Sequence, residues 1–291
     1  SIELLGRACA SSTRFQDNLF EANAMPPETL AVLGEENIRS GGAVEAYIYR
    51  RFENKLSLVN HIIEHLLEVD PRDFTISTII DYFRETPGLK RSLDKVFEII
   101  VYALFITIID ALELTVSIVI NEKHRDILAE FESFAQSVLS VDLDKPTAMS
   151  GAKVFRVGVT NAADRGLDMY SNWGPAIQIK HLTLDEELAE SIVESVSADR
   201  IIIVCRSIDE KVLLSVLNQV GWKSRILSVI TEEDLYNWYE KALRGRFASQ
   251  LAKPLVDTLI EEMETEFPAV AGFPESISVR QYDKIKDPFW Q

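Results

Sequence analysis

Apolar residues along this chain fall into two kinds of run. From Val96 to Ile109 the chain reads VFEIIVYALFITII, with Glu98 its only charge and no Gly or Pro. A run of that length without breakers predicts a buried helix over Leu93–Leu112. It is too short, and too closely flanked by Asp94, Lys95 and Asp110, to cross a membrane, which takes about 20 apolar residues. The second kind is shorter and richer in β-branched residues. Ile177–Leu182, Ile201–Cys205 and Ile226–Ile230 predict strands. Each leads into an amphipathic stretch opened by Thr183 with Glu186, Ser207 with Glu210, or Thr231 with Asp234, at capping-box spacing or its Asp variant. Three strand–helix repeats build an α/β layer with at least some parallel strands.

The flanking regions divide the chain into three parts. Residues 1–90 are polar and mainly helical. Their clearest helix, Ala43–Leu67, lies between Gly41-Gly42 and Asp70-Pro71, and Pro26-Pro27 and Pro87-Gly88 mark further breaks. Residues 91–246 form the core. Besides the elements above, it should hold a β-favouring stretch at Leu114–Ile120, an amphipathic helix over His124–Leu139 and a strand within Ala152–Thr160. Residues 247–291 begin with a helix to Phe267 and end in a tail carrying Pro268, Pro274 and Pro288.

Candidate chemistry sits in the middle part. Gly174 and Pro175 punctuate the start of the strand that holds Gln178, Ile179 and Lys180. Side-chain alternation puts Gln178 and Lys180 on one face and Ile177, Ile179 and His181 on the other. Ser171-Asn172-Trp173-Gly174 has turn chemistry that folds the chain back, which brings Asp168 beside Gln178 and Lys180. A carboxylate, an amide oxygen and an ammonium then converge. Hard oxygen ligands suit Mg²⁺, which needs few protein groups, and a nearby Lys can offset charge on a reacting phosphate. That grouping points to metal-assisted phosphodiester hydrolysis. The plainer alternative is a half-buried strand whose Gln and Lys face solvent.

Two longer blocks surround these residues: Phe155-Arg156-Val157-Gly158-Val159-Thr160-Asn161-Ala162-Ala163-Asp164-Arg165-Gly166-Leu167-Asp168-Met169, and Gly174-Pro175-Ala176-Ile177-Gln178-Ile179-Lys180-His181-Leu182-Thr183-Leu184. With them, the region from Leu93 to about Gly245 resembles the PD-(D/E)XK nuclease superfamily, and more narrowly the HaeII family of type II restriction endonucleases. The resemblance implies a restriction-endonuclease-like α/β core, a mixed sheet flanked by helices, with a helical N-terminal region. It also implies Mg²⁺ as cofactor, with Asp168 binding metal, Gln178 assisting and Lys180 catalytic. Gln178 stands where Asp or Glu is usual, so a further carboxylate is needed. Glu98, in the buried helix, is the candidate, because a buried Glu must be paired or bound to metal. The metal set is then Asp168, Glu98, Gln178 and Ile179. The alternative for Glu98 is a helix-rim residue that reaches solvent or pairs with a nearby Arg.

The implied activity is cleavage of double-stranded DNA at a GC-rich palindrome centred on GCGC. A palindrome is matched by a two-fold symmetric protein, so a homodimer is expected. Asn161, Arg165 and Asn172 flank the site on turns as candidate base readers. Trp173 could pack on a sugar or base, or anchor the turn from beneath. Against this stands a net charge of −16, since nucleic-acid binders are usually basic. The distribution is uneven, however. Residues 141–180 carry Lys145, Lys153, Arg156, Arg165 and Lys180 against Asp142, Asp144, Asp164 and Asp168, and residues 241–254 carry Lys241, Arg244, Arg246 and Lys253 with no acid. Only Cys9 and Cys205 are present, without metal-ligand spacing, as in a bacterial cytoplasmic protein.

Rival motifs are weaker. His61-Ile62-Ile63-Glu64-His65 matches the H-x-x-E-H zinc signature but lacks an evident third ligand. None of the three strand–helix junctions holds the glycines of a dinucleotide-binding turn. A structure-specific repair nuclease of the same fold remains open, as does a non-enzymatic interaction protein with a degenerate nuclease core.

Overall fold

The computed structural model describes residues 27–157, 167–217, 225–267 and 277–285. The chain divides into two compact units, one of residues 1–67 with 263–291, the other of residues 68–262. In the first, α1 (Pro27–Arg39) leads through Gly41 and Gly42 into α2 (Ala43–Glu68). Gly42 has φ +105°, and a Cβ there would lie 2.9 Å from the Tyr282 ring, so the close approach of that ring requires glycine. Ala46, Tyr49, Ile277 and Tyr282 form a small core, and Arg50 donates to the carbonyls of Tyr282 (3.2 Å) and Ile285 (3.1 Å).

The second unit carries the site. It contains α3 (Ile76–Glu85), α4 (Leu93–Ala111), β1 (Thr115–Val119), α5 (Arg125–Glu130), β2 (Thr147–Gly151), β3 (Val154–Arg156), β4 (Met169–Ser171) and β5 (Ala176–Leu184). α6 (Glu186–Ser195), β6 (Ile201–Ile208), α7 (Glu210–Leu217), β7 (Ile226–Thr231), α8 (Glu232–Arg244) and α9 (Ala248–Glu266) follow. The main sheet has order β3-β4-β5-β6-β7, antiparallel across β3, β4 and β5 and parallel across β5, β6 and β7. Its parallel half explains the unbroken apolar run Ile201–Cys205. β6 lies between two parallel neighbours and is covered on both faces, so it needs no polar side. On one face Ala176, Ile201, Ile203 and Cys205 pack with Ala189, Ile192 and Val193 of α6 and Val212 of α7. On the other, α4 lies against β5 and α8 against β6, and the fully buried Tyr239 hydroxyl donates to the Ile100 carbonyl at 2.7 Å. Burial raises the Cys205 thiol to about 12, so it is an inert core residue.

Three expectations need correction. β5 runs to Leu184, so the cap of α6 is Asp185, whose side chain accepts from Leu188 N at 2.9 Å. Thr183 and Ser207, expected as caps, face each other on adjacent strands with hydroxyls 2.9 Å apart. Asp209, just before α7, accepts from Lys211 N instead. Sheet pairing extended the strands past the residues that would have capped. Thr231 and Asp234 do form the expected capping box. Finally, His124–Leu139 is not one helix. α5 stops at Glu130, Phe131 sits at φ −108°, ψ 28°, and a short turn and a π-helical turn follow to Leu139. β1 and β2 pair only with each other. Of the expected strand over Ala152–Thr160, Val154–Arg156 is formed, and residues 158–160 lie outside the described residues.

Candidate active site

A tight hairpin builds the site. Ser171 N and Oγ both donate to the Pro175 carbonyl, at 3.1 and 3.0 Å, and Gly174 N donates to Ser171 O at 3.2 Å. Gly174 has φ +119°, a conformation glycine adopts without steric cost. The turn registers Met169 opposite Ile177 and Tyr170 opposite Ala176. Asp168, one residue before β4, therefore lies beside Gln178 and Ile179.

All the contacts described for Asp168 fall on one oxygen. Its Oδ2 accepts from the Gln178 amide at 2.5 Å and from Ile179 N–H at 2.7 Å, and the Lys180 ammonium stands 3.9 Å away. Burial pushes the Asp168 carboxyl above its usual range, and the Ile179 hydrogen bond and the Lys180 charge only partly oppose that. Gln178 is almost wholly buried. Its Nε2 is used, while its Oε1 is buried without a hydrogen-bond partner. An orphaned buried carbonyl costs roughly 1–3 kcal/mol.

Glu98 reaches the cluster from α4. It is buried, and both its oxygens accept from Lys95 Nζ, at 2.9 and 2.8 Å, one helical turn back. Burial raises its carboxyl, and the Asp168 charge raises it further, against the Lys95 bond. The Asp168 charge acts on Glu98, and the charges of Lys95 and Asp94 act on Asp168, so the first turns of α4 lie within electrostatic reach of Asp168. The partner is Lys95 rather than the Arg considered from sequence. Lys95 was missed as a site residue, although its i, i+3 spacing to Glu98 was visible. Arg156 on β3 also lowers the Glu98 carboxyl and pairs with Glu262 at 3.0 Å.

Other candidates are placed differently. Ile179 offers only its main-chain carbonyl as an oxygen, while its N–H holds Asp168. Both ends of the Asn172 amide are engaged with backbone, accepting from Lys153 N (2.9 Å) and donating to Gly151 O (2.8 Å), so Asn172 locks the turn instead of presenting a free amide for base readout. Trp173 is 40% exposed on the turn, so it is no buried anchor. Asn161 and Arg165 lie outside the described residues. His181 is buried on the opposite strand face, its Nε2 2.8 Å from a Glu232 oxygen and its ring 4.6 Å from that of Phe97. His61 and His65 lie on α2, but among the described residues no three His, Cys, Asp or Glu side chains are grouped to hold a metal.

The residues present fit a small hard cation. One buried and one half-buried carboxylate, both with raised pKa values, and an unpartnered amide oxygen form a site short of positive charge, and Mg²⁺ is satisfied by few protein oxygens. A mixed sheet flanked by helices, with this group at its antiparallel-to-parallel transition, is an arrangement of the restriction-endonuclease-like fold class. Comparison with known proteins narrows that class. The HaeII restriction endonuclease family matches residues 1–282. The chain is 48% identical over 288 residues to the type II restriction enzyme HaeII of Haemophilus aegyptius, covering 98% of this chain and 82% of that one. It is 50% identical over 277 residues to the type II restriction enzyme NgoBI of Neisseria gonorrhoeae, covering 95% and 78%. No solved structure matches. The chain belongs to the HaeII restriction endonuclease family, and its enzyme class is that of a type II restriction endonuclease.

Proposed function

We propose that this chain cuts both strands of a GC-rich palindromic DNA site, with Mg²⁺ as cofactor and two copies of the chain acting together. The observation that carries the cofactor reading is the buried, unpartnered Oε1 of Gln178 beside the Asp168 carboxylate. The recognition sequence centred on GCGC rests on the family resemblance alone. Trp173, exposed at the hairpin turn, and Asn161 and Arg165 before Asp168 are the proposed DNA contacts. A cytoplasmic site of action accords with the reduced, buried Cys205.

In this reading Asp168, Gln178 and Glu98 would hold the cation, which supplies a Lewis acid for the phosphate and lowers the pKa of a bound water. Ile179 N–H fixes the Asp168 carboxylate so that its second oxygen faces the site. The unpartnered Oε1 of Gln178 would supply the cation with an uncharged oxygen ligand. Lys180, more exposed than its neighbours, offsets the charge that develops on phosphorus. Lys95 holds the Glu98 carboxylate in place, and Glu98 would be the charged oxygen ligand from α4. Gln178 brings an uncharged oxygen where Asp or Glu is usual, which weakens cation affinity and makes Glu98 the compensating carboxylate.

Plasmid DNA incubated with the protein and Mg²⁺ tests this most directly. Discrete fragments that vanish with EDTA are the expected result. Cleavage at ends or branched junctions would identify a structure-specific nuclease instead, and no cleavage of any DNA under Mg²⁺ would remove the enzymatic reading.

A further inference from the structure

Between α4 and β3, residues 112–151 leave the main sheet as an arm of two paired strands and a broken helical segment. The helical segment carries two apolar seams, each spaced 4-3-4. The inner one is apolar at Leu128, Ala135 and Leu139, which pack with Val141, Ile120, Leu143 and Ala148, and its remaining position holds the half-buried Glu132. The outer one is Ile127, Phe131, Phe134 and Val138, exposed by 58, 55, 55 and 61%. An amphipathic segment normally buries its larger apolar set. Here the small set faces the chain and the two phenylalanines face out, flanking an almost wholly apolar groove of about 480 Å³.

We infer that this outer seam is the contact between two copies of the chain. Four large side chains, each more than half exposed, present on the order of 400 Å² of apolar surface, the size at which a patch marks an interaction site. With its polar rim it approaches the roughly 800 Å² that each partner contributes to a standard interface. Charge disfavours nucleic acid and anionic lipid as occupants. Residues 122–144 hold six acidic side chains against Lys123 and Arg125, which repels both phosphate backbones and anionic lipid. The seam also complements itself. A two-fold axis between Phe131 and Phe134 sets aromatic against aromatic at the centre and aliphatic against aliphatic at the ends. The choice of a second copy rests on the proposed double-strand cleavage, for which one chain supplies only one site.

Sedimentation velocity on the full chain over a wide concentration range tests the seam. Wild type is expected to be a dimer at micromolar concentration. Phe131→Glu with Phe134→Glu should weaken association about 100-fold or more, because like charges then meet at the centre. Thermal midpoint should hold, since both side chains are already more than half exposed. Mixing that variant with Phe131→Lys plus Phe134→Lys should restore the dimer, which a misfolded arm would not do. Gln136→Glu, exposed off the seam, should remain dimeric. On plasmid DNA the double Glu variant should nick more than it linearises. A wild type that is monomeric with and without DNA, or a double variant that dimerises like wild type, overturns the proposal. Lys180→Ala should stay dimeric, so loss of chemistry and loss of the interface are read separately.

Discussion

Strand β5 borders two ionic clusters, one around His181 and one around Asp168, and they are opposite in character. On one side His181, Glu232 and Arg84 satisfy one another. His181 and Glu232 are 2.8 Å apart, and Arg84 stands 3.8 Å from the second Glu232 oxygen. Burial works to raise the Glu232 carboxyl, yet the His181 hydrogen bond and the Arg84 charge outweigh it and the net shift is downward. On the other side Asp168 and Glu98 are shifted upward despite Ile179, Lys180 and Lys95, and Gln178 keeps an orphaned oxygen. Both clusters contain basic partners. The direction of the carboxylate shift separates them. The His181 cluster has enough partners to hold its charge, whereas the cluster proposed for catalysis is left deficient, as a site completed by a bound cation would be.

Removing the functional charges should produce the largest effects. Lys180→Ala is expected to leave fold and DNA binding intact and lower cleavage by about 10²–10³-fold, the range for loss of one group that acts on transition-state charge. Asp168→Asn should abolish cleavage. Its folded pKa is raised, so the ionised carboxylate costs stability that is regained as pH falls. At neutral pH the Asn variant should therefore unfold at a temperature no lower than wild type without metal. Added Mg²⁺ should raise the wild-type midpoint and leave that of Asp168→Asn unchanged. A clearly destabilised Asn variant would make Asp168 a structural residue and erase the contrast between the two clusters.

The His181 cluster should respond in stability. Glu232→Gln is expected to cost on the order of 1–3 kcal/mol, the value of a charged hydrogen bond left incomplete. Because Glu232 is lowered in the fold, its contribution is fully present above the unfolded carboxylate pKa and is lost as pH falls through the folded one. Thermal midpoints measured from neutral to acid should therefore drop for wild type across that window, with a shallower drop for Glu232→Gln. Cleavage per folded molecule should change little. A large loss of turnover with stability unchanged would place Glu232 in the chemistry.

The smallest effects concern the cation. Glu98→Gln should raise the Mg²⁺ concentration needed for half-maximal cleavage several-fold, and Gln178→Glu should lower it. Combining them should restore part of the wild-type profile, because two groups on one ion are coupled. Strict additivity in the four-enzyme cycle would return Glu98 to a purely structural pairing with Lys95.

Much of this site was legible before folding. The turn chemistry of Ser171–Gly174 and the two-residue alternation of β5 act within about ten residues, so they placed Asp168 against Gln178 and Lys180 and put His181 on the far side. The unbroken run around Glu98 marked a buried helix in the same local way. Tertiary structure decided what depends on distant partners. It brought Glu232 to His181 across 51 positions and engaged the Asn172 amide with the backbone of residues 151 and 153. It moved the cap of α6 to Asp185, because pairing Thr183 with Ser207 extended β5 beyond the local capping signal. The helical segment after β1 shows the same limit most sharply. Periodicity tells which residues share a face, but only packing determines which face meets the chain's own core, and here that was the smaller one.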